Sequence, residues 1–360
     1  MSDDDDQVPT FAEQLHSSLA ERLVGAMPEP AVVVDAEGRT IVANKPAFTL
    51  LPGLKLDEPL ILALRSPNVI DAMRRVLATG EAETAPWSER VPIERLFEVC
   101  VAPLEATPGV VAAALLTLRD LTEQRRLERM RVDFIANASH ELRTPLASML
   151  GFIETLQGSA HDDAKARDKF LVIMREQGRR MARLIDDLLS LSRIEQKQHV
   201  RPAAAVDLAQ LARHVADTLA PLAREMGVEI KLDADRPVTV IGDRDELLRV
   251  AENLIENAIK YGARQDGSGE DRVEIAVRRT ASEGSLVVRD FGRGIAPEHL
   301  PRLTERFYRV DLTQSRAKNG TGLGLAIVKH ILTRHRGRLT IASGLDRGST
   351  FTAIVPLHNG

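Results

Sequence analysis

The sequence predicts a multidomain α+β protein with a small N-terminal α/β domain, an antiparallel helical hairpin and a C-terminal α/β domain. Three observations support this fold class. A length of 360 residues is enough for two or three domains. Strand-like and helix-like patterns alternate at both ends of the chain. Between them, from Leu127 to Ile194, apolar residues recur every three or four positions, which is the spacing of helices with one apolar face.

The composition excludes several classes of protein. The chain has 48 basic and 52 acidic residues, so no net positive charge attracts nucleic acid or an anionic membrane, and aromatic residues make up only 3%. Its one cysteine, Cys100, excludes disulfides and fits a reducing compartment. The longest apolar run, Val110–Leu118, is less than half of the roughly 20 residues that a membrane helix needs. We therefore expect a cytoplasmic protein with no membrane span in this chain and no nucleic-acid partner; an anchor upstream of Met1 in a longer gene product stays open.

The first 122 residues divide into an acidic lead over 1–17, expected to be disordered, and a small domain over 18–122. Its predicted elements are two strands around the Asp35–Gly38 turn, helices near Leu60–Leu64 and Val69–Ala78, and strands at Leu96–Ala102 and Val110–Leu118. With its closing Arg119-Asp-Leu-Thr122, this segment resembles a PAS sensor domain. A ligand sensor and a generic α/β module both stay open, and Cys100 is expected to be a small core residue.

Residues 123–200 are predicted to form a helical hairpin. A first apolar stripe runs over 121–157, the segment Gly158–Asp163 breaks it, and a second stripe follows from Phe170 to Ile194. One hairpin alone cannot bury both stripes, whereas two hairpins from two chains can do so as a four-helix bundle. The hairpin therefore predicts a homodimer with twofold symmetry.

The first helix carries a histidine that its own periodicity directs away from the core. His140 lies two positions from the stripe residues Ala138 and Leu142, so it points to the opposite side of the helix. Pro145 inside the helix removes a backbone hydrogen bond and predicts a bend beside His140. We expect that bend to bring the carboxylate of Glu141 to the imidazole, and the hydroxyl of Thr144, one turn on, to orient a water near it. An ordinary surface histidine stays open from this segment alone.

Residues 205–358 are predicted to form an α/β domain. Asp243, three residues before Glu246, predicts a capping box at the start of the middle helix. Helices are expected at Leu208–Glu225, Asp245–Lys260 and Leu323–Arg336, and strands at Val228–Leu232, Val238–Ile241, Val273–Val277, Leu286–Arg289, Leu339–Ala342 and Phe351–Val355.

Two polar motifs in this domain suggest a ligand site. Asn253 and Asn257 share one helical face, with Lys260 and Tyr261 a turn further on, and an amide oxygen such as that of Asn257 suits Mg²⁺ that also binds phosphates. A purely structural role for the asparagines stays open. Asp290 follows a strand and precedes Gly292 and Gly294; a carboxylate there can accept the amine proton of adenine while the glycines let backbone approach the ring. An ordinary tight turn is the alternative.

A glycine-rich loop opens the last helix. Gly320, Gly322 and Gly324, with Leu323 between the last two, present backbone N–H groups to a phosphate. No P-loop motif occurs, and Asp290-Phe-Gly292 has none of the surroundings found in protein kinases of the Ser/Thr type.

The order and spacing of these motifs resemble the ATP-binding domain shared by histidine kinases, Hsp90, type II topoisomerases and mismatch-repair ATPases. The segment Phe134–Leu146 resembles the phosphoacceptor box of sensor histidine kinases, and Gly151–Leu156 resembles the phosphate-regulon sensors among them. The resemblance implies a mixed-sheet sandwich that binds ATP and Mg²⁺ under a lid near 310–321. Arg316 and Lys318 of that lid could reach phosphates, and an ordinary solvated loop is the alternative for each. The resemblance also implies that Asn257 holds Mg²⁺, that Asp290 holds adenine, and that the site is lined by Asn253, Lys260, Tyr261, Gly292, Gly294, Arg309, Gly320, Gly322, Leu323 and Gly324.

The same resemblance implies the activity. His140 would be the phosphorylated nucleophile, Glu141 would assist it, and Thr144 would serve a phosphatase activity toward the partner, a response regulator on a separate chain. The alternative is a non-catalytic dimeric scaffold that binds ATP and signals by contact.

Overall fold

The computed structural model describes residues 21–89, 94–107, 110–159, 161–197, 200–262, 271–310 and 320–358. The chain divides into two compact units, Met1–Asp133 and Phe134–Gly360. In the described ranges, no helix is both long enough and apolar enough to cross a bilayer.

The N-terminal unit is built around a five-stranded antiparallel sheet. Its strands are β1 Ala31–Asp35, β2 Thr40–Ala43, β3 Glu83–Glu89, β4 Arg95–Thr107 and β5 Val110–Asp120; its helices are a 3-10 turn at Leu60–Leu62, α1 Lys45–Leu50 and α2 Pro67–Thr79. The strand order in the sheet is β2-β1-β5-β4-β3. The core forms where the buried face of α2 meets the sheet, with Val69 and Val76 fully buried. The predicted hairpin, helices and two long strands are present, whereas β3 and α1 were not predicted.

The prediction for Cys100 was wrong. Side chains alternate between the two faces of a strand, and in β4 both Val99 and Val101 are fully buried. Cys100 between them therefore faces outward and is exposed. The sequence identified the apolar strand, but it did not show which of its residues face the core.

Two long helices form the predicted hairpin: α3 Thr122–Gln157 and α4 Ala164–Gln196. Asp163 caps α4 by accepting from the backbone N–H groups of Lys165 and Ala166, both at 3.0 Å. Pro145 is buried inside α3, and the helix continues through it. Several apolar side chains of the hairpin remain exposed in the single chain, at 37–52%: Leu146, Leu150, Ile153, Leu171, Ile185 and Leu189.

The C-terminal unit adds a mixed five-stranded sheet and a separate two-stranded sheet. The strands are β6 Ala204–Asp207, β7 Glu229–Asp233, β8 Thr239–Gly242, β9 Arg272–Arg279, β10 Glu283–Asp290, β11 Arg338–Ser343 and β12 Ser349–Pro356; the helices are α5 Leu208–Glu225, α6 Arg244–Gly262 and α7 Gly324–Arg334. The larger sheet has the order β11-β12-β10-β9-β7, in which only the β7–β9 pair is parallel. Leu254 and Ile255 of α6 are fully buried in the core cluster between this sheet and its helices. The smaller sheet joins β6 and β8, and β6 was not predicted.

The start of α6 is half of the predicted capping box. The carboxylate of Asp243 accepts from the N–H groups of Asp245 and Glu246. In a full capping box the carboxylate of Glu246 would accept from the N–H of Asp243, but here that carboxylate pairs with Arg334 at 2.5 Å. The N–H of Asp243 instead donates to Nε2 of His335 at 3.0 Å, so a buried histidine completes the cap.

Candidate active site

A cavity of about 550 Å³ lies in the C-terminal unit, between α6, the segment after β10, the glycine-rich loop and α4. It gathers most of the predicted binding residues along its walls: Asn253, Asn257, Lys260, Tyr261, Asp290, Gly294, Arg309, Gly320, Gly322 and Gly324. Gly292 and Leu323 lie beside these residues and do not line the cavity; Leu323 is fully buried. Lys318 and Arg316 lie outside the described residues.

Asp290 is the last residue of β10, lines the cavity and is only 5% exposed. Its Oδ1 accepts from the N–H groups of Gly292 at 3.0 Å and Ser349 at 3.2 Å. Burial raises the pKa of this carboxyl above its usual range, and the two backbone donors partly oppose that rise by stabilising the ionised form. The result is a fixed, largely desolvated acceptor of the kind that can recognise an exocyclic amine.

The two glycines after Asp290 are required by packing of the chain on itself. A Cβ on Gly292 would lie 2.5 Å from the carbonyl oxygen of Tyr261. Gly294 has φ +69°, and a Cβ there would lie 1.9 Å from the carbonyl oxygen of Gly344. At both positions one backbone segment lies against another, and only glycine leaves room for this. This packing is enough to explain the two glycines without a close approach of the backbone to an adenine ring.

Helix α6 supplies the polar wall of the cavity. Asn253 donates from Nδ2 to the carbonyl of Arg249 at 2.8 Å, and a Cβ on Gly324 would lie 2.4 Å from its Oδ1, so the glycine-rich loop packs on this amide. Asn257 is partly buried one turn further along the same face. Lys260 pairs with Glu256 at 2.6 Å. The helix thus presents an amide at the cavity wall with a cation nearby.

The glycine-rich loop is held in place just before α7. Gly322 has φ +74°, and a Cβ there would lie 2.9 Å from the Cα of Phe307, whose N–H donates to the Gly322 carbonyl at 2.8 Å. Helix α7 begins at Gly324 without a side-chain cap from Leu323. A helix that starts in this way has N–H groups in its first turn that suit an anion.

Arg309 joins the cavity to the phosphoacceptor segment. Its side chain is 4% exposed and its Nη2 donates to Oε2 of Glu141 at 3.0 Å. The same carboxylate oxygen accepts from Arg180 of α4, also at 3.0 Å. Nε and Nη1 of Arg309 are buried without a hydrogen-bond partner in the described part of the chain. Two donors of a buried guanidinium are thus available to an acceptor entering the cavity.

The predicted arrangement around His140 is partly wrong. His140 is exposed, as expected, but the carboxylate of Glu141 is bound by the two arginines, and no hydrogen bond joins it to the imidazole among the described residues. Helix α3 is continuous here, and adjacent residues of a helix diverge by about 100°. The hydroxyl of Thr144 donates to the His140 carbonyl at 3.2 Å, and its expected contact with a water stays a prediction.

The sequence did not indicate the part of the cavity wall that comes from the hairpin. This part consists of Arg183, Asp186 and Asp187 of α4. Arg249 of α6 and Ser349 of β12 also line the cavity and were not predicted. The hydroxyl of Thr321 donates to Oδ2 of Asp187, across 134 positions of sequence. No local sequence motif indicates such a contact, because its two partners come together only in the folded chain.

Three domain families match the chain in the predicted order. A PAS fold matches residues 24–126, the His Kinase A (phospho-acceptor) domain matches 130–197, and the histidine kinase-, DNA gyrase B-, and HSP90-like ATPase matches 242–359. An exposed histidine on a helical hairpin, followed by an ATPase-type domain, is the arrangement of sensor histidine kinases, and the chain is similar to that class. Within that class it resembles the phosphate-regulon sensors.

Two curated relatives and one solved structure are similar to parts of this chain. The phosphate regulon sensor protein PhoR of Pseudomonas aeruginosa is 42% identical over 240 residues, which are 66% of this chain and 53% of the relative. The sensor protein kinase WalK of Staphylococcus saprophyticus is 30% identical over 341 residues, 93% of this chain and 54% of the relative. The chain thus spans about half the length of these curated relatives. A solved histidine kinase, AdeS of Acinetobacter baumannii, is 25% identical over 61% of this chain and 98% of its own, with a TM-score of 0.48.

Proposed function

We propose that this protein is an ATP-dependent protein-histidine kinase that phosphorylates His140 and passes the phosphoryl group to an aspartate of a separate response regulator. One observation carries the proposal. An exposed histidine on α3 belongs to the same compact unit as a cavity whose walls combine a buried acceptor, Asp290, with an uncapped helix start and two donor atoms of Arg309 that have no partner among the described residues. These groups suit the adenine end and the phosphate end of ATP respectively.

The reaction is a phosphoryl transfer that depends mainly on positioning and charge neutralisation. A nitrogen lone pair of His140 attacks the γ-phosphorus, the bond from that phosphorus to the bridging oxygen breaks, and ADP leaves with the electron pair. The N–H proton of the ring passes to the carboxylate of Glu141, which must first separate from Arg309 and Arg180 and turn toward the ring. Arg309 then has all its donors available for the terminal phosphate. In the second step a carboxylate oxygen of the regulator bonds to phosphorus as the phosphorus–nitrogen bond breaks; the ring nitrogen keeps that electron pair, and the ring regains its N–H proton from Glu141.

Mg²⁺ fits the residues that are present. In the described ranges, no group of three or more His, Cys, Asp or Glu side chains is arranged to hold a metal by itself. The amide of Asn257 and the carboxylates of Glu252 and Glu256 line the cavity, and oxygen donors of this kind suit a cation that takes its other ligands from phosphates and water. When bound, Mg²⁺ neutralises charge on the phosphates; Asn257 would hold it.

The hairpin supports a homodimer. Leu150 and Leu189 are 51% and 52% exposed in the single chain, and they belong to the set of apolar side chains left uncovered along α3 and α4. A second hairpin packed against them would complete a four-helix bundle and remove these side chains from water. Sedimentation equilibrium should give twice the mass of the 39.6 kDa chain. A monomer at micromolar concentration would contradict the bundle.

The kinase is tested by incubating the full chain with ATP labelled at the γ-phosphate. We expect label that is stable to base and labile to acid, lost in His140→Gln and kept in His161→Gln. His161 is the matched control because it is an exposed histidine of the same hairpin, between α3 and α4. Nucleotide binding without label in the wild-type protein would reject the kinase and leave the contact-signalling scaffold. Equal labelling of both variants would reject His140.

A phosphatase activity toward the regulator rests on Thr144, which is exposed one turn after His140. Thr144→Ala should keep autophosphorylation and slow the loss of phosphate from the phosphorylated regulator. Equal loss of both activities would mean that Thr144 supports the shape of the helix and has no separate role.

A further inference from the structure

The carboxylate of Asp187 takes two hydrogen bonds inside the cavity. Its Oδ1 accepts from Nη2 of Arg249 on α6 at 2.8 Å, and its Oδ2 accepts from the hydroxyl of Thr321 at 2.8 Å. Asp187 belongs to α4 of the hairpin, while both donors belong to the ATPase-type domain. Its side chain is 19% exposed, so this anion is largely withdrawn from water.

The partners of Asp187 are those that a phosphate group would be expected to use. Thr321 lies in the glycine-rich loop directly before the uncapped start of α7, and Arg249 is a cation of α6 that lines the same cavity. An anion with one oxygen on a guanidinium and another on a hydroxyl at a helix start has the recognition pattern of phosphate. A second, independent feature indicates an anion site here: the buried guanidinium of Arg309 lines the same cavity, and two of its nitrogens have no hydrogen-bond partner in the part of the chain that the structure describes.

A second contact between the hairpin and the ATPase-type domain has the same character. Glu141 of α3 pairs with Arg309, so again a hairpin carboxylate occupies an arginine of the cavity wall. A third ion pair, Glu195 with Arg306 at 2.5 Å, adds to the docking of the two parts. The hairpin thus contributes acids and the ATPase-type domain contributes arginines. A nucleotide entering the cavity brings the same sign of charge as the hairpin acids.

We propose that Asp187 is an internal phosphate mimic that competes with the phosphates of the nucleotide for Thr321 and Arg249. Nucleotide binding displaces it, and the displacement releases the hairpin from the ATPase-type domain so that the domain is free to reach His140. Because coupling between two binding equilibria is reciprocal, the docked hairpin must lower nucleotide affinity by the same factor by which nucleotide weakens docking. This inference rests on the proposed nucleotide-binding function of the cavity.

The test measures the affinity of the full chain for a non-hydrolysable ATP analogue by calorimetry, with and without Mg²⁺. Asp187→Asn keeps the shape and an acceptor but removes the charge, and we expect its Kd to fall about tenfold, within the 5- to 150-fold range of ordinary coupling. Asp168→Asn removes the same charge elsewhere on α4. Because the side chain of Asp168 is 80% exposed and lies outside the cavity lining, we expect at most about a twofold change there.

The possible outcomes separate the two levels of the argument. If the wild-type chain binds no nucleotide, the proposed function fails and the inference fails with it. If the wild-type chain binds and Asp187→Asn binds equally well, only the inference is overturned. Weaker binding by Asp187→Asn in the presence of Mg²⁺ would make Asp187 a ligand of the metal, which also overturns competition. Hydrogen exchange of α4 should rise on nucleotide binding in the wild-type protein, and already be raised without nucleotide in Asp187→Asn.

Discussion

Replacing Gly294 by alanine should damage the ATPase-type domain even when no nucleotide is present. The residue has φ +69°, a conformation that costs an L-residue about 1–2 kcal/mol. The new Cβ would also lie 1.9 Å from the Gly344 carbonyl oxygen, so one of the two backbones must move by about 1 Å to reach 3.0 Å. That oxygen accepts from the N–H of Arg347, a bond worth about 1 kcal/mol that movement would weaken. Together these effects predict a loss of about 3 kcal/mol.

The assay is hydrogen exchange of β10 and β12 in the full chain without nucleotide, because exchange reports the opening of one region in a multidomain protein. Gly178→Ala is the matched control: this glycine lies inside α4 with nothing within 4 Å of its added Cβ, so the same change should stabilise by about 0.5–1 kcal/mol. If Gly294→Ala kept wild-type exchange and lost only nucleotide affinity, the glycine would serve the ligand and our packing argument would be refuted.

Three further predictions concern the same unit. Asn257→Ala should reduce the affinity for ATP with Mg²⁺ to the value measured in EDTA; an unchanged Mg²⁺ effect would assign the metal elsewhere. Burial lowers the pKa of His335, whose Nδ1 bonds to the Ile331 carbonyl at 2.8 Å, so its contribution to stability is complete above about pH 6.5 and is lost as pH falls through the lowered folded pKa. Urea midpoints between pH 7.5 and 5 should therefore fall less steeply in His335→Gln, and an equal slope would contradict this. Leu254→Ala should lower the free energy of unfolding by about 2–5 kcal/mol, whereas Leu345→Ala, at a position 64% exposed, should change it by less than about 0.5 kcal/mol; similar urea midpoints would contradict the core assignment.

The elements that the sequence predicted best are those whose pattern repeats over many residues. Helix α5 was predicted with its observed ends, Leu208 and Glu225, because its apolar stripe is long and Asp207 gives a clear start. Strand β3 contains Pro86 and mostly polar residues, and β6 has only four residues, so neither shows the alternation that identifies a strand. Their place is decided by pairing with β4 and β8.

In the candidate site, too, residues in local motifs could be predicted from the sequence, whereas contacts between distant parts of the chain could not. Asn257, Asp290 and the glycine-rich loop could be predicted because each belongs to a local motif, and the structure brings them to one cavity. Asp187 and Arg249 were not found, since their roles exist only where α4 meets α6. The expected contact of Glu141 with His140 failed for a related reason: local spacing could not reveal that Arg309, 168 positions away, takes the carboxylate.

The outward position of Cys100 gives the protein a built-in labelling point. It is the single cysteine of the chain, it is exposed, and its neighbours Val99 and Val101 anchor β4 in the core of the N-terminal unit. A maleimide dye or a nitroxide spin label would therefore attach at one defined position without any engineered residue. Such a probe would sit on the PAS sheet, opposite Thr117 of β5, and would report on a ligand or partner that reaches this face.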